Sequence, residues 1–206
     1  MPRGRLITIE GLDGAGKTTL AASLQAALSE RGINVRRLRE PGGVQAAERV
    51  RELAKDPGLR IGARAEALLY AAARAQLVDE ALEPLLDDGV WVLLDRFVDS
   101  SLAYQGGGRE LGIEPVRAIN EFATGGLRPD RTLMLTIDPS LGRARSASRA
   151  DPLDRLEREA DEFFTRIASA YDELAAAEPE RVRSVDAAQP PEQVLAAALA
   201  AIGDLL

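Results

Sequence analysis

The stretch Leu6-Ile7-Thr8-Ile9-Glu10-Gly11-Leu12-Asp13-Gly14-Ala15-Gly16-Lys17-Thr18-Thr19 decides the fold. Its first four residues read as a buried strand. Gly11, Gly16, Lys17 and Thr18 then fill every fixed position of the pattern G-x-x-x-x-G-K-[ST]. A helix follows, with Leu20, Leu24 and Leu28 at helical spacing between Thr18 and Arg31, and Gly32 stops it. Strand, glycine-rich turn and helix in this order make a phosphate cradle. The glycines let backbone N–H groups converge, and the helix adds the positive end of its dipole. In such a loop Lys17 reaches the β- and γ-phosphates of a nucleoside triphosphate, and the Thr18 hydroxyl serves Mg²⁺. The bland alternative, a strand-to-helix turn of no chemical purpose, fits this context poorly.

Outward from the loop, strands and helices alternate. Asn34 to Leu38 is a second strand, ended by Arg39-Glu40-Pro41-Gly42-Gly43. Ala46 to Ala54 has helical character, and so does Ala63 to Leu86, with a bend expected near Pro84. Val90 to Leu94 is a continuous apolar run, as in a central parallel strand, and it ends in Asp95-Arg96. Helix is expected over Val116 to Ala123, Glu159 to Ala177 and Glu192 to Leu206, and strand over Thr132 to Ile137 and Val182 to Val185. Arg143 to Asp151 is polar and arginine-rich without an apolar face. The alternation predicts one α/β domain over 1–206, with a five-stranded, mostly parallel sheet covered by helices on both faces. Ligands of such sheets bind at the carboxyl ends of the strands. Three polar clusters fall there: the loop after the first strand, Arg39-Glu40-Pro41 after the second, and Asp95-Arg96 after the third.

Composition removes whole classes of chemistry. Among 206 residues there is neither cysteine nor histidine. Disulfides, thiolate nucleophiles, Cys/His zinc sites and histidine bases are therefore excluded. Metal chemistry must use oxygen ligands, which suits Mg²⁺. Of the basic residues only Lys17 and Lys55 are lysines, and one of them sits in the phosphate loop. The net charge of −7 argues against nucleic-acid or membrane-surface partners. No run approaches the roughly 20 apolar residues of a membrane span, so the cytoplasm is the expected location. A GTPase switch is disfavoured, because no N-K-x-D motif is present. Asp95 is followed by Arg96-Phe97-Val98 rather than a D-x-x-G motif. A small-molecule kinase fits better.

The remaining motifs resemble bacterial thymidylate kinases nearly end to end. The signposts are the loop itself, Arg39-Glu40-Pro41-Gly42-Gly43, Tyr70-Ala71-Ala72-Ala73-Arg74-Ala75-Gln76, Asp95-Arg96-Phe97, Ser100-Ser101-Leu102-Ala103-Tyr104-Gln105-Gly106 and Asp154-Arg155-Leu156-Glu157. The resemblance implies a P-loop NTPase three-layer sandwich that transfers a phosphoryl group from ATP, with Mg²⁺, to dTMP. It implies ATP contacts from Gly11, Leu12, Asp13, Gly14, Ala15, Gly16, Lys17, Thr18 and Thr19, and metal contacts from Thr18 and Asp95. For dTMP it implies Asp13, Glu40, Pro41, Arg51, Tyr70, Arg74, Arg96, Ser101, Tyr104 and Gln105. Tyr70 would stack on the thymine and Arg74 would reach its carbonyl. Tyr104 would pack under the sugar, while Arg51 and Arg96 would grip the phosphate.

Each role has a plainer competitor. Tyr70 could be a core residue, Ser100 and Ser101 could cap a helix, and Asp95 could pair with Arg96 or Lys17. Arg39 could orient the Glu40-Pro41 turn. One of Arg49 and Arg51 could be mere solvated surface. Some relatives carry a catalytic arginine where this chain has Gly14. In that subclass the resemblance assigns the role to an arginine-bearing lid, here about residues 143–157. Lys17 and Arg96 together with Arg149 and Arg155 are the expected catalytic set, and Arg145 is a lid alternative that the spacing does not separate. Family resemblance also implies a homodimer packed through helices such as Ala63–Leu86 and Val116–Ala123. The rival readings are a kinase of another nucleoside monophosphate and a regulatory P-loop ATPase.

Overall fold

The computed structural model describes residues 2–147 and 155–206. Five strands form one parallel sheet: β1 (Leu6–Gly11), β2 (Val35–Arg39), β3 (Trp91–Asp95), β4 (Arg131–Thr136) and β5 (Val182–Asp186), in the order β2-β3-β1-β4-β5. β1 therefore lies at the centre, and all six of its residues are buried. Its alternation divides the core. Ile7 and Ile9 face α1 (Lys17–Glu30) and α9 (Pro191–Ala201), where they join Leu20, Leu24, Leu28 and Ala198. Leu6 faces the opposite layer, packed with Leu77, Leu82 and Leu86. Helices on both faces cover the central strands, which is why β3 reads as a nearly unbroken apolar run, while edge strand β2 keeps Arg36, Arg37 and Arg39 exposed.

The opposite layer holds α2 (Gln45–Lys55), α3 (Ala63–Leu77), α4 (Glu83–Asp87), α5 (Val98–Ser101), α6 (Ile113–Thr124) and α8 (Asp161–Ala177). The long helix expected to Leu86 is broken earlier than Pro84, by a π-helical turn over Val78–Leu82. Pro84 has no N–H to donate and crowds the preceding turn, so the winding relaxes upstream of it. A second π-helical segment, Leu102–Gly108, was not legible as helix in the sequence. It carries three glycines in a row, and packing decides it. A Cβ on Gly107 or Gly108 would come within 2.7 Å of Ala170 or Phe163, so glycine lets the segment press against α8. The arginine-rich stretch begins as a helix, α7 (Pro139–Ala147).

Candidate active site

A cavity of about 910 Å³ opens at the carboxyl ends of β2, β3 and β1. The three polar clusters expected there do converge: Asp13, Gly14, Gly16, Lys17, Thr18 and Thr19, then Arg39, Glu40 and Pro41, then Asp95 and Arg96 all line it. On the far wall stand Arg51, Tyr70, Arg74, Ser101, Tyr104 and Gln105.

The loop is shaped by its own backbone. Lys17 Nζ donates to the carbonyls of Gly11 (3.1 Å) and Leu12 (2.9 Å), tying the ammonium across the turn. Burial, and then the neighbouring Arg96 charge, push its pKa down to about 8. Helix α1 starts at Lys17 with no side-chain cap and no acidic residue in its first turn. Its leading N–H groups and positive dipole end are therefore left for an anion. Ala15 and the Leu12 side chain are buried beneath the loop. Gly14 has φ 79°, and a Cβ there would lie 2.0 Å from the Gly142 carbonyl oxygen. The loop thus rests on α7 at a point where only glycine fits, which physically bars an arginine from position 14.

Thr18 Oγ1 donates to Asp95 Oδ2 at 3.0 Å. This pair of hard oxygens, one hydroxyl and one carboxylate, is a donor set that would suit a hard cation such as Mg²⁺. Among the described residues no cluster of three or more acidic groups competes for that role.

Arg96 follows β3 with φ 72°, a left-handed conformation that costs a side-chain-bearing residue free energy. One amino group donates to Asp13 Oδ1 (2.7 Å) and to the Tyr104 hydroxyl (3.1 Å). The other donates to Ser100 Oγ (3.0 Å) and the Tyr171 hydroxyl (3.3 Å). Burial opposes ionisation of Asp13, but Arg96 and Lys17 outweigh it and hold the carboxyl well below the usual range. Tyr104 donates to Asp13 Oδ2 at 3.1 Å and lies under the Arg96 guanidinium, 5.0 Å from ring centroid to cation. Burial pushes its phenol pKa strongly upward.

The base end of the cavity is a second network. Arg74, only 2% exposed, makes four hydrogen bonds, to Glu40, Ser101, Asn120 and the Phe97 carbonyl, and its Nη2 lies 2.6 Å from the same Glu40 oxygen. The expected contact of Arg74 with a base carbonyl therefore requires one of these partners to yield. Burial raises the Glu40 pKa against the pull of Arg74. Tyr70 is buried in the core and still lines the cavity, so its two readings are compatible. Ser100 and Ser101 do not cap the helical segment that follows them, whose N-cap, Ser101, makes no side-chain hydrogen bond; they bind Glu10 and Arg74 instead. Gln105 donates to Glu66 Oε1 at 2.9 Å. Arg51 donates to the Pro41 carbonyl at 2.9 Å, whereas Arg49 is exposed beside Glu52, so Arg49 is the solvated member of that pair. Arg39 binds Glu48, which also accepts from Gly43 N–H, and so braces the turn after β2.

The lid arginines divide. Arg145 lines the cavity and donates to the Ala187 carbonyl at 3.0 Å. Arg143 pairs with Asp161 on the surface. Arg149 lies outside the described residues. Arg155, expected beside it as a catalyst, is not brought to the cavity. Its guanidinium binds Glu66 Oε2 (2.5 Å) and the Ala54 carbonyl (3.0 Å). The cause is Glu66, a carboxylate with no exposed surface, which collects Arg109 and Arg155 as its countercharges.

Glu10, Glu66, Ser100 and Tyr171 were missed as site-building residues. Faint signals existed: Glu10 is an acid inside an apolar strand, and Glu66 sits one turn before Tyr70 on the same helix face.

Comparison with known proteins identifies the family. A family model described as Thymidylate kinase matches residues 9–198. The chain is 47% identical to a protein named Thymidylate kinase from Halorhodospira halophila, over 99% of this chain and 96% of that one. It is 48% identical to a Thymidylate kinase from Oenococcus oeni, over 100% and 98% of the two chains. A Thymidylate kinase from Deinococcus radiodurans is 47% identical, over 99% and 98%.

Proposed function

Because the chain belongs to the thymidylate kinase family, we propose that it transfers the γ-phosphoryl group of ATP to dTMP, giving ADP and dTDP. The observation that carries this reading is the shared cavity: the phosphate loop and the wall of Tyr70, Ser101, Tyr104 and Gln105 face one space. The loop suits a polyphosphate. The wall suits a small planar base on a sugar, since an aromatic face stacks on a base for about 1–3 kcal/mol.

The chemistry asks little of the protein beyond position and charge. A phosphate monoester has a second pKa of about 6, so the acceptor is largely a dianion at neutral pH and needs no base. That agrees with a chain lacking histidine and cysteine. Lys17 bridges the β- and γ-phosphates. Arg96 and Arg51 turn planar, permanently charged forks on the acceptor phosphate. Arg145 approaches from α7 and neutralises charge that builds up in transfer. Thr18 and Asp95 would hold Mg²⁺, which supplies further positive charge between the phosphate oxygens. The direct nucleic-acid and membrane partners that the acidic balance disfavours play no part in this reading, and the reaction is assigned to the cytoplasm. No helix among the described residues is long and apolar enough to cross a membrane.

The reading also includes a homodimer. Phe122 on α6 is 92% exposed and Leu68 on α3 is 56% exposed, on two helices that pack side by side. Solvent-facing apolar groups of this size suit a second copy of the same face. A Phe122→Glu variant should run as a monomer in light scattering.

An ADP-coupled assay over nucleoside monophosphates tests the activity. dTMP should turn over faster than dUMP, dCMP or AMP. Faster turnover of any of those would establish the other-monophosphate kinase instead. ATP hydrolysis with no transfer to any acceptor would establish the regulatory ATPase.

A further inference from the structure

Glu10 is the only charged residue in β1 and has no exposed surface. A carboxylate in that position is costly unless it is fully bonded. It is. Oε1 accepts from the N–H groups of Phe97 (2.7 Å) and Ser100 (3.2 Å). Oε2 accepts from Ser100 Oγ (2.5 Å) and the Tyr171 hydroxyl (3.1 Å).

Those partners surround Arg96. The Arg96 N–H donates to the Ile9 carbonyl at 3.0 Å, and the next N–H, of Phe97, goes to Glu10. Consecutive residues of β1 therefore clamp the strained left-handed turn from both sides. The Arg96 side chain is held by the same group at one remove, because its two acceptors on one amino group, Ser100 Oγ and the Tyr171 hydroxyl, are both bonded to Glu10 Oε2. We propose that Glu10, acting with Tyr171, is a positioning residue that aims the Arg96 guanidinium at the acceptor phosphate. This rests on the reading that Arg96 binds that phosphate. The arrangement resembles the outer shell of a metal site, where a buried carboxylate fixes the direction of a ligand it orients. Without the Glu10 carboxylate Arg96 keeps its Asp13 and Tyr104 contacts on one amino group, but the Ser100 and Tyr171 acceptors of the other are no longer anchored.

A double-mutant cycle on kcat/KM for dTMP at saturating ATP tests it. Glu10→Gln keeps the shape and an oxygen for the two backbone donors while replacing the second oxygen, which anchors Ser100 and Tyr171 behind Arg96. It should lower kcat/KM for dTMP by about 10–100-fold, the range for misdirected orienting groups. KM for ATP should stay within about twofold. Tyr171→Phe, which removes only a hydroxyl, should show the same pattern more weakly and protects the test should Glu10→Gln fold poorly. In an Arg96→Ala background neither change should cost more. Full additivity in that background, or a Glu10→Gln enzyme and a Tyr171→Phe enzyme both with unchanged kcat/KM, would overturn the proposal. If Arg96→Ala itself leaves kcat/KM for dTMP intact, the phosphate role of Arg96 fails, and that failure is visible before either partner is mutated.

Discussion

At the floor of the cavity Asp13 accepts from Arg96 at 2.7 Å and lies 3.9 Å from the Lys17 ammonium, whereas on α7 Arg143 rests on exposed Asp161 and Arg145 on the Ala187 carbonyl. Folding fixes the floor before any ligand arrives, and its charges are matched internally. The Arg143–Asp161 pair is exposed and worth about 0–1 kcal/mol, and Arg145 donates to a backbone carbonyl rather than to a counter-charge. A phosphate can recruit them. Arg155 belongs with the floor in this respect despite its place in the sequence, because losing it leaves the buried Glu66 with Arg109 as its one remaining counter-charge among the described residues. The difference separates the lid arginines by mobility of charge rather than by spacing.

The largest effect should come from breaking the floor. Lys17→Ala should lower kcat by about 10²–10³-fold, as for loss of one preorganised electrostatic donor, with the circular dichroism spectrum unchanged. The same lysine has a signature in stability. Its folded pKa of about 8 lies below its ordinary 10.5. Between these values the unfolded chain binds the extra proton, so stability rises with pH. The burden is full below pH 8 and gone above 10.5. Ligand-free protein should gain stability across that window, by up to about 3 kcal/mol, relative to Lys17→Met, which has no such group to titrate. Urea midpoints at several pH values measure it, and parallel curves would contradict it.

Arg155→Ala should act chiefly on stability, lowering it by about 3 kcal/mol because Glu66 loses one of two countercharges in a buried site. Arg145→Ala should do the reverse, lowering kcat by about tenfold or more while the melting temperature scarcely moves. Finding the kinetic loss in Arg155→Ala and the stability loss in Arg145→Ala would invert the comparison.

Much of this was legible in the sequence for physical reasons. The loop is a contiguous motif, and the parallel sheet covered by helices follows from apolar strands alternating with helical segments, whereas the strand order does not. The acceptor wall showed through residues that resemblance alone assigned. What stayed hidden were pairings across long sequence separations. Glu10 and Tyr171 are 161 positions apart in sequence, and Glu66 and Arg155 are 89 apart. No local pattern encodes either contact, and the glycine-rich π-helical segment at 102–108 exists only because α8 lies against it.

The smallest expected effect separates Arg49 from Arg51, two residues apart on α2. Arg51 lines the cavity and is held by the Pro41 carbonyl, so its fork is already aimed at the acceptor side. Arg49 stands in solvent against Glu52, with side-chain exposures of 77% and 66%. Such a pair contributes under about 0.5 kcal/mol. Arg51→Ala should raise KM for dTMP by about tenfold, the cost of one charge-assisted phosphate contact. Arg49→Ala should leave KM, kcat and the melting temperature within error. Steady-state kinetics on the two variants side by side reads the outcome. Equal losses would mean that the charge of α2, rather than the direction of one guanidinium, attracts the acceptor. In that case raising the salt concentration should weaken dTMP binding to the parent enzyme as strongly as either substitution does, because diffuse attraction is screened and a bidentate contact much less so.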